Sequence, residues 1–584
     1  MDLSDPPLLP QPSAGRLQVL KTHIRHVVTL PIGPWIARET IWRDSLTHQV
    51  YGSADLRSLV APGCTYGYDV VVEVGRRLFV EAQPVRQIIG LLAQSHIHLS
   101  ASTVADLGRR FVVLLALAHR RCTQRLRQAI SLQGGYILHL DATYEDKSPM
   151  LMTGIDAVLD IVLGNIKLPS EKAAGIVPFL RQLKECFGLP LALVHDMSKG
   201  ILAAVEEVFP GIPDFICHFH FLRDLGKDLL GADYDTLRKR VHTHRTLSRL
   251  SARLRAWQKE IDADPPLQQA LKQLPACGWP SQPLQQAPLL AAYVLARWVL
   301  AGLQQGRGYG FPFDRPLLEL ARRAQQAHAQ LQTALSLAQQ DPGKDGWRRT
   351  LPYDNLLLDL HGLVHNYALK HTLNRLETHG QLFDQLRLAL QIAPLSGDQG
   401  LNHDGEPVDM KALQHHVQAF TQEIRARPDY STTPALQKMI AQIDHYGPKL
   451  FADPLVISTP QGPRTVQPQR TNNIIERFFR DLKRDCRRKT GCHSLGRTLR
   501  TMLPDTPLVK NLQNPDYLKI LLDGHPTLEA LFAQIDPATV RQELAKAREI
   551  PEKVPRALQR FINNLPDSTP IKNFIQNIKS NPLS

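Results

Sequence analysis

Between residues 131 and 230 short apolar runs alternate with amphipathic helices, and two of the runs end in aspartate. "GYILHLDAT" closes its apolar stretch at Asp141, and "LALVHD" closes at Asp196. Between them, "MLMTGIDAVLDIVLGNIKL" holds two β-prone runs separated by a turn near Asp156–Ala157. "EKAAGIVPFLRQLKECFG" has helical spacing and ends at Gly188; "KGILAAVEEVFPG" is a helix stopped by Pro210; "DFICHFH" is a last short strand. The order β-β-β-α-β-α-β predicts a mixed sheet covered by helices, which makes this part of the chain α/β. Strands that run parallel in one sheet place their C-terminal ends side by side. Asp141 and Asp196 are therefore expected as neighbours.

Two carboxylates at adjacent strand ends repel each other, and a divalent cation relieves that repulsion. Mg²⁺, or Mn²⁺, takes hard oxygen ligands, and two such ions can hold the attacking and leaving oxygens of a phosphodiester. A third carboxylate from a helix beside the sheet would complete the set. "TNNIIERFFRDLKRDCRRKTG" (471–491) reads as that helix, capped by Thr471 or Asn472. Ile475, Phe478, Phe479, Leu482 and Cys486 form its apolar stripe, and Glu476, Arg480, Lys483 and Arg487 form a row along the stripe's edge. Glu476 can face the strand ends while the row continues outward. Arg470, Arg477, Arg480, Lys483, Arg484, Arg487, Arg488 and Lys489 are the candidate phosphate-binding cations. A salt bridge from Glu476 to Arg480 is the simpler reading of the same helix.

Net charge is +14, and residues 470–500 carry half of that excess, with ten Lys or Arg against three acids. That concentration points to a polyanionic partner. Seven scattered cysteines with no CxxC pair argue against a disulfide framework and a conventional zinc finger, and for a reducing, cytoplasmic setting. No apolar run is long enough to span a bilayer, and residues 1–15, acidic and Pro-rich, read as a loose tail. Residues 16–130 form an N-terminal region in which "YDVVVEVGRRLFV" fits a strand or a helix. A helix near 85–95, a turn at His96–Leu99 and a second helix capped by Ser100 or Ser102 match a DNA-binding helix-turn-helix over 85–112, or a plain helical hairpin. Residues 231–465 are helical throughout and rich in Leu, Ala, Gln and Arg; "LSGDQGLNHDGEP" within them reads as a loop. Residues 501–584 hold short helices broken by prolines and a polar tail. Cys217, His218 and His220 lack the second ligand pair of a zinc site, so Cys217 and His220 read as structural groups near the acidic cluster. His195 reads as a core histidine or a support for Asp196. Trp298 reads as a buried helix residue or a stacking platform for a base.

"HLDAT", "LVHDMSKG", "CHFHFLRDLGKDLL" and "TNNIIERFFRDLKRDCRRKTG" together resemble DDE transposases with a ribonuclease H-like catalytic core, above all the Mutator-like transposases and their bacterial insertion-sequence relatives. The resemblance covers 131–230 and 466–500. It implies a core interrupted by the helical insertion 231–465, with Asp141, Asp196 and Glu476 as the metal-binding triad and Cys217 and His220 as the Cys-x-x-His motif. It further implies cleavage and strand transfer of double-stranded DNA at mobile-element ends, with Mg²⁺ or Mn²⁺, two ions per site, in a homodimer or higher oligomer on nucleoid DNA. A metal-dependent nuclease or resolvase of the same fold, or a DNA-binding protein that has lost catalysis, are the other readings.

Overall fold

The computed structural model describes residues 2–3, 17–272, 287–340, 346–395 and 409–547. The expected tail within 1–15, most of the loop at 395–407 and the polar C-terminal stretch lie outside the described residues, apart from Asp2–Leu3 and Leu395. The chain forms two compact units. One holds the residues up to Asp214 and from Pro454 onward; the other is Phe215–Asp453.

The first unit begins with a long hairpin, β1 (Leu17–Thr29) antiparallel to β2 (Gly33–Asp44), whose inner face buries Val27 and Ala37 on Leu56 and Val60. Tyr68–Gly75 is a helix. Val70, Val71, Val72 and Val74 are all buried, and the polar edge is narrow, the half-buried Asp69 and Glu73 with Arg77 paired to Glu73 one turn on, so a run of valines hides the helical period. Helix α1 (Val85–Gln94) leads to α2 (Ala101–Arg121), capped as expected by Ser100, whose hydroxyl accepts from the Thr103 amide. The hairpin of helices is present, but α2 is buried at every position from Phe111 to His119. Its second half is a core spine, with His119 bonded to Tyr517 (2.9 Å) and to the Leu163 carbonyl (3.1 Å).

Five strands make the central sheet: β3 (Ile137–Thr143), β4 (Met150–Asp156), β5 (Ile161–Leu168), β6 (Ala192–His195) and β7 (Asp214–Ile216). Their spatial order is β5-β4-β3-β6-β7. The first three form an antiparallel meander, and β6 joins β3 in parallel. Helices α3 (Ala173–Phe187) and α4 (Lys199–Val208) make the crossovers. The sheet is therefore mixed, as the run of elements predicts. The short helices between Thr506 and Lys546 are not a tail. Leu508, Val509, Tyr517, Leu521, Leu531 and Phe532 enter the same core as α2 and the sheet.

The second unit is helical among its described residues beyond Ile216. It opens with α5 (His218–Thr243) and includes α6 (Pro316–Gln340), α7 (Gly346–Val364) and α8 (Tyr367–Ala389). Its limits, 215 and 453, differ from the expected 231–465. At the first edge, α5 runs unbroken for 26 residues, and Leu222, Leu225, Leu229, Leu230 and Leu237 bury one continuous face. Gly231 stands at the expected edge, but the helix runs through it. At the second edge, residues expected to be helical form a hairpin, Leu455–Thr459 with Gly462–Val466, in the first unit. No helix among the described residues is long and apolar enough to cross a membrane.

Candidate active site

The five residues Ile137–Asp141 are buried because β3 is the central strand, flanked by β4 and β6. Parallel pairing sets Leu138 against Leu193, His139 against Val194 and Leu140 against His195. Asp141 and Asp196 are the next residues on these two strands. Asp141 is 8% exposed, and its Oδ1 accepts from the Ala142 amide at 2.7 Å. Asp196 Oδ1 accepts from the Ser198 amide at 3.0 Å, which shapes the turn into α4. His195 is fully buried; Nδ1 meets the Asp196 carbonyl oxygen at 2.7 Å and Nε2 meets Asp214 at 3.3 Å. Of its two readings, the structure gives His195 both at once: a core histidine that braces the backbone of Asp196.

The basic helix is α9 (Asn473–Thr490). Ile475, Phe478 and Cys486 bury its apolar stripe. Asn472 occupies the N-cap position but does not cap with its side chain. Its amide nitrogen instead donates to the Leu140 carbonyl (2.8 Å), and its Oδ1 accepts from His139 Nδ1 (2.8 Å). Both partners are on β3. Because an amide oxygen can only accept, His139 carries its proton on Nδ1. Burial holds its pKa down to about 4, so the ring stays neutral. This clamp fixes the first turn of α9 on the strand that carries Asp141. Glu476 follows one turn later, its amide bonded to the Asn472 carbonyl at 2.9 Å.

Asp141 lies within the field of both Asp196 and Glu476. Burial first, then Asp196, and more weakly Glu476 and Glu171, raise the pKa of Asp141 well above the carboxylate range; only the Ala142 amide opposes them. Glu171 is a fourth carboxylate that the sequence does not mark. Burial and Asp196 raise its pKa, while the Ser198 hydroxyl bonds it and lowers it. Ser198 therefore serves both Asp196, through its amide, and Glu171, through its hydroxyl. The approach is tight: a Cβ at Gly200 would fall 1.9 Å from the Glu171 carbonyl oxygen. "LPSEKAAG" carries no pattern that would single out Glu171, since its neighbours come from α4. The carboxylates around Asp141 repel one another and are partly dehydrated, and they offer hard oxygen ligands. Oxygen ligands of this kind fit a hard divalent cation, Mg²⁺ or Mn²⁺.

Along α9, Arg477, Arg480, Lys483, Arg484, Arg487 and Arg488 are exposed. Arg484 meets Asp481 at 3.3 Å, and Lys483 meets Glu145 at 4.0 Å, both solvent-facing contacts that a stronger anion can displace. Two of the expected cations depart from the row. Arg470 is 7% exposed, and burial lowers its pKa to about 10, so it does not present a phosphate contact. Lys489 is half-buried with its ammonium 5.1 Å from the centre of the Phe79 ring. Cys217 and His220 belong to the second unit, at the start of α5, where both are buried. Desolvation, with Arg223 and Lys227, holds the His220 pKa down to about 3. Trp298 is half-buried, under the guanidinium of Arg323 at 5.1 Å.

No protein-family model matches the chain, and no curated protein matches it in sequence. Among solved structures, the Drosophila P element transposase strand transfer complex is similar at a TM-score of 0.32 and 11% identity, over 80% of this chain and 94% of that chain. A likeness at that level does not establish a shared fold.

Proposed function

We propose that the chain is a DNA transposase of the DDE type, built on a ribonuclease H-like core, with Asp141, Asp196 and Glu476 as its metal-binding triad. One observation carries the reading. Three carboxylates separated by 55 and 280 residues in sequence fall in one electrostatic neighbourhood, at adjacent ends of parallel strands and on the first turn of a helix clamped to one of them. The strand order β5-β4-β3-β6-β7 supports the core assignment, and the exposed cations of α9 support a nucleic acid partner. When bound, Mg²⁺ or Mn²⁺ would polarise the scissile phosphate and lower the pKa of the attacking hydroxyl. The protein's own part is to hold its carboxylates in place and to neutralise the phosphate backbone with Arg477, Arg480, Lys483 and Arg487. His139, kept neutral, and Asn472 fix the helix that brings Glu476 in.

The test is a strand-transfer assay with a pre-cut DNA end and supercoiled target. Wild type is expected to join the end to the target in Mg²⁺, while Asp141→Asn loses joining and cleavage by at least about 10³-fold yet binds DNA as wild type does. Cleavage without joining would assign a nuclease of the same fold. Full cleavage by Asp141→Asn would end the triad assignment.

A further inference from the structure

The second unit holds a cavity that the proposed chemistry does not use. It measures about 520 Å³ and lies between the loop 305–315, the start of α6, and α8. Among the described residues four arginines line it: Arg307 in the loop, Arg315 and Arg322 at and beyond the start of α6, and Arg387 on α8. Asp314 sets the shape of the loop. Its Oδ1 accepts from the Arg307 amide (2.9 Å) and its Oδ2 from the Gly310 amide (2.8 Å), while Gly306, Gly308 and Gly310 all take positive φ. Arg387 is 2% exposed. Its guanidinium lies over the rings of Tyr309 (5.7 Å) and Phe313 (5.4 Å) and donates to the carbonyls of Phe313, Ala393 and Pro394. Lining guanidiniums outnumber lining carboxylates by four to three, and the acids are engaged. Asp314 faces the loop amides, Glu319 is held by Arg322 and Arg323 (2.8 and 2.7 Å), and Glu377 acts on Arg322 through its field. Arg315 and Arg387 share one further carboxylate, Asp384, which Arg315 contacts closely and Arg387 approaches at 3.6 Å.

We infer that this cavity is a phosphate-binding site, in which Arg307, Arg315 and Arg322 take the oxygens of one phosphate group and Arg387 supplies positive charge from behind. A guanidinium fork pairs with carboxylate or with phosphate. A carboxylate has two oxygens and is satisfied by a single fork. A phosphate offers oxygens in several directions, which suits donors that converge from a loop, a helix start and a point two turns farther along that helix. The loop is open on its outer side, since a Cβ at Gly308 or Gly310 would meet nothing within 4 Å, and a ligand oxygen can come close to its backbone. Phe313, Leu318 and Leu395 give the same cavity an apolar wall for the remainder of a phosphorylated molecule, and its volume is of the size that ligand pockets have. Burial, helped by the like charge of Arg315 and opposed by Asp384, holds the Arg387 pKa below its ordinary value, so an added anion relieves a strained cluster of cations. Guanidinium contacts to phosphate need no metal, which keeps this site chemically separate from the carboxylates of the first unit.

The experiment is a calorimetric titration of the full chain with inorganic pyrophosphate, in EDTA and at constant ionic strength, so that it depends on neither metal nor catalysis. Wild type is expected to show one saturable step. Arg307→Ala and Arg322→Ala, at a half-buried and an exposed position, are each expected to weaken that step about tenfold with unchanged circular dichroism. Glu377→Gln removes a like charge from the wall and is expected to tighten it about threefold, a gain that a purely structural arginine cluster would not give. DNA binding by the Arg307→Ala/Arg322→Ala double variant then identifies the source of the phosphate. Weaker binding with a shallower salt dependence assigns the nucleic acid backbone, and unchanged binding assigns a free phosphorylated molecule. No saturable step in wild type, or wild-type pyrophosphate affinity in the double variant, would overturn the site.

Discussion

Asp141 illustrates how an acidic cluster works against its own protein. Its folded-state pKa lies above the usual 3.8, through burial and its acidic neighbours. The native state therefore keeps this proton to a higher pH than the unfolded chain does. The stability associated with the neutral carboxyl is complete below the unfolded value and is lost as pH rises through the folded one. Asp141→Asn removes the repulsion for good. In metal-free buffer above that folded pKa, the variant is expected to melt later than wild type by about 2–4 °C for each kcal/mol relieved. The gap should close as pH falls toward 4, and thermal melts across a pH series check it. A gap that widens on acidification would contradict the account. Because an incoming cation must displace the proton, Mg²⁺ should raise the melting temperature of wild type most at high pH and leave the variant unmoved.

At the scale of elements, Asn472 ties the first turn of α9 to β3 while Ile475, Phe478 and Cys486 bury its apolar stripe. Asn472→Ala breaks two buried hydrogen bonds and strands the His139 nitrogen and the Leu140 carbonyl. It is expected to lower stability by about 2–4 kcal/mol. It should also reduce cleavage more than DNA binding, since the exposed cations of α9 remain; denaturant melts and gel-shift assays read the two effects. The same elements show what is legible in a sequence. β3, β4, β5 and β6 announce themselves because each is a contiguous apolar run between breakers. The basic helix shows its stripe because Ile475, Phe478 and Cys486 recur at 3.6-residue spacing. The roles of Asn472 and Glu171 were not legible. One residue satisfies groups on a strand more than 330 positions away, and the other meets its partners through the close approach of Gly200. Neither relation leaves a local pattern. The edge of the helical insertion was misplaced for a different reason: Gly226 and Gly231 lie inside α5 without ending it, because the helix continues through both on one buried leucine face.

At the scale of the whole molecule, each unit buries a core of its own. The first gathers α2, the sheet and the helices after Thr506; the second rests on α5 and on residues such as Leu320, Leu331, Leu356, Leu360 and Phe383. Independent cores unfold independently when each is large enough to cooperate within itself. Calorimetry is therefore expected to resolve two transitions, with Mg²⁺ raising only the one that belongs to the first unit. A single transition, or two moved equally by Mg²⁺, would contradict the division. The first unit is split in sequence, leaving at Asp214 and resuming at Pro454, with Glu476 on the far side of that interruption. During synthesis at about 5–20 residues per second, roughly a quarter of a minute to a full minute separates the emergence of Asp196 from that of Glu476. A growing polypeptide thus carries the two strand acids long before the third exists, and a chain cut short within the insertion lacks both Glu476 and the clamp of Asn472 on β3.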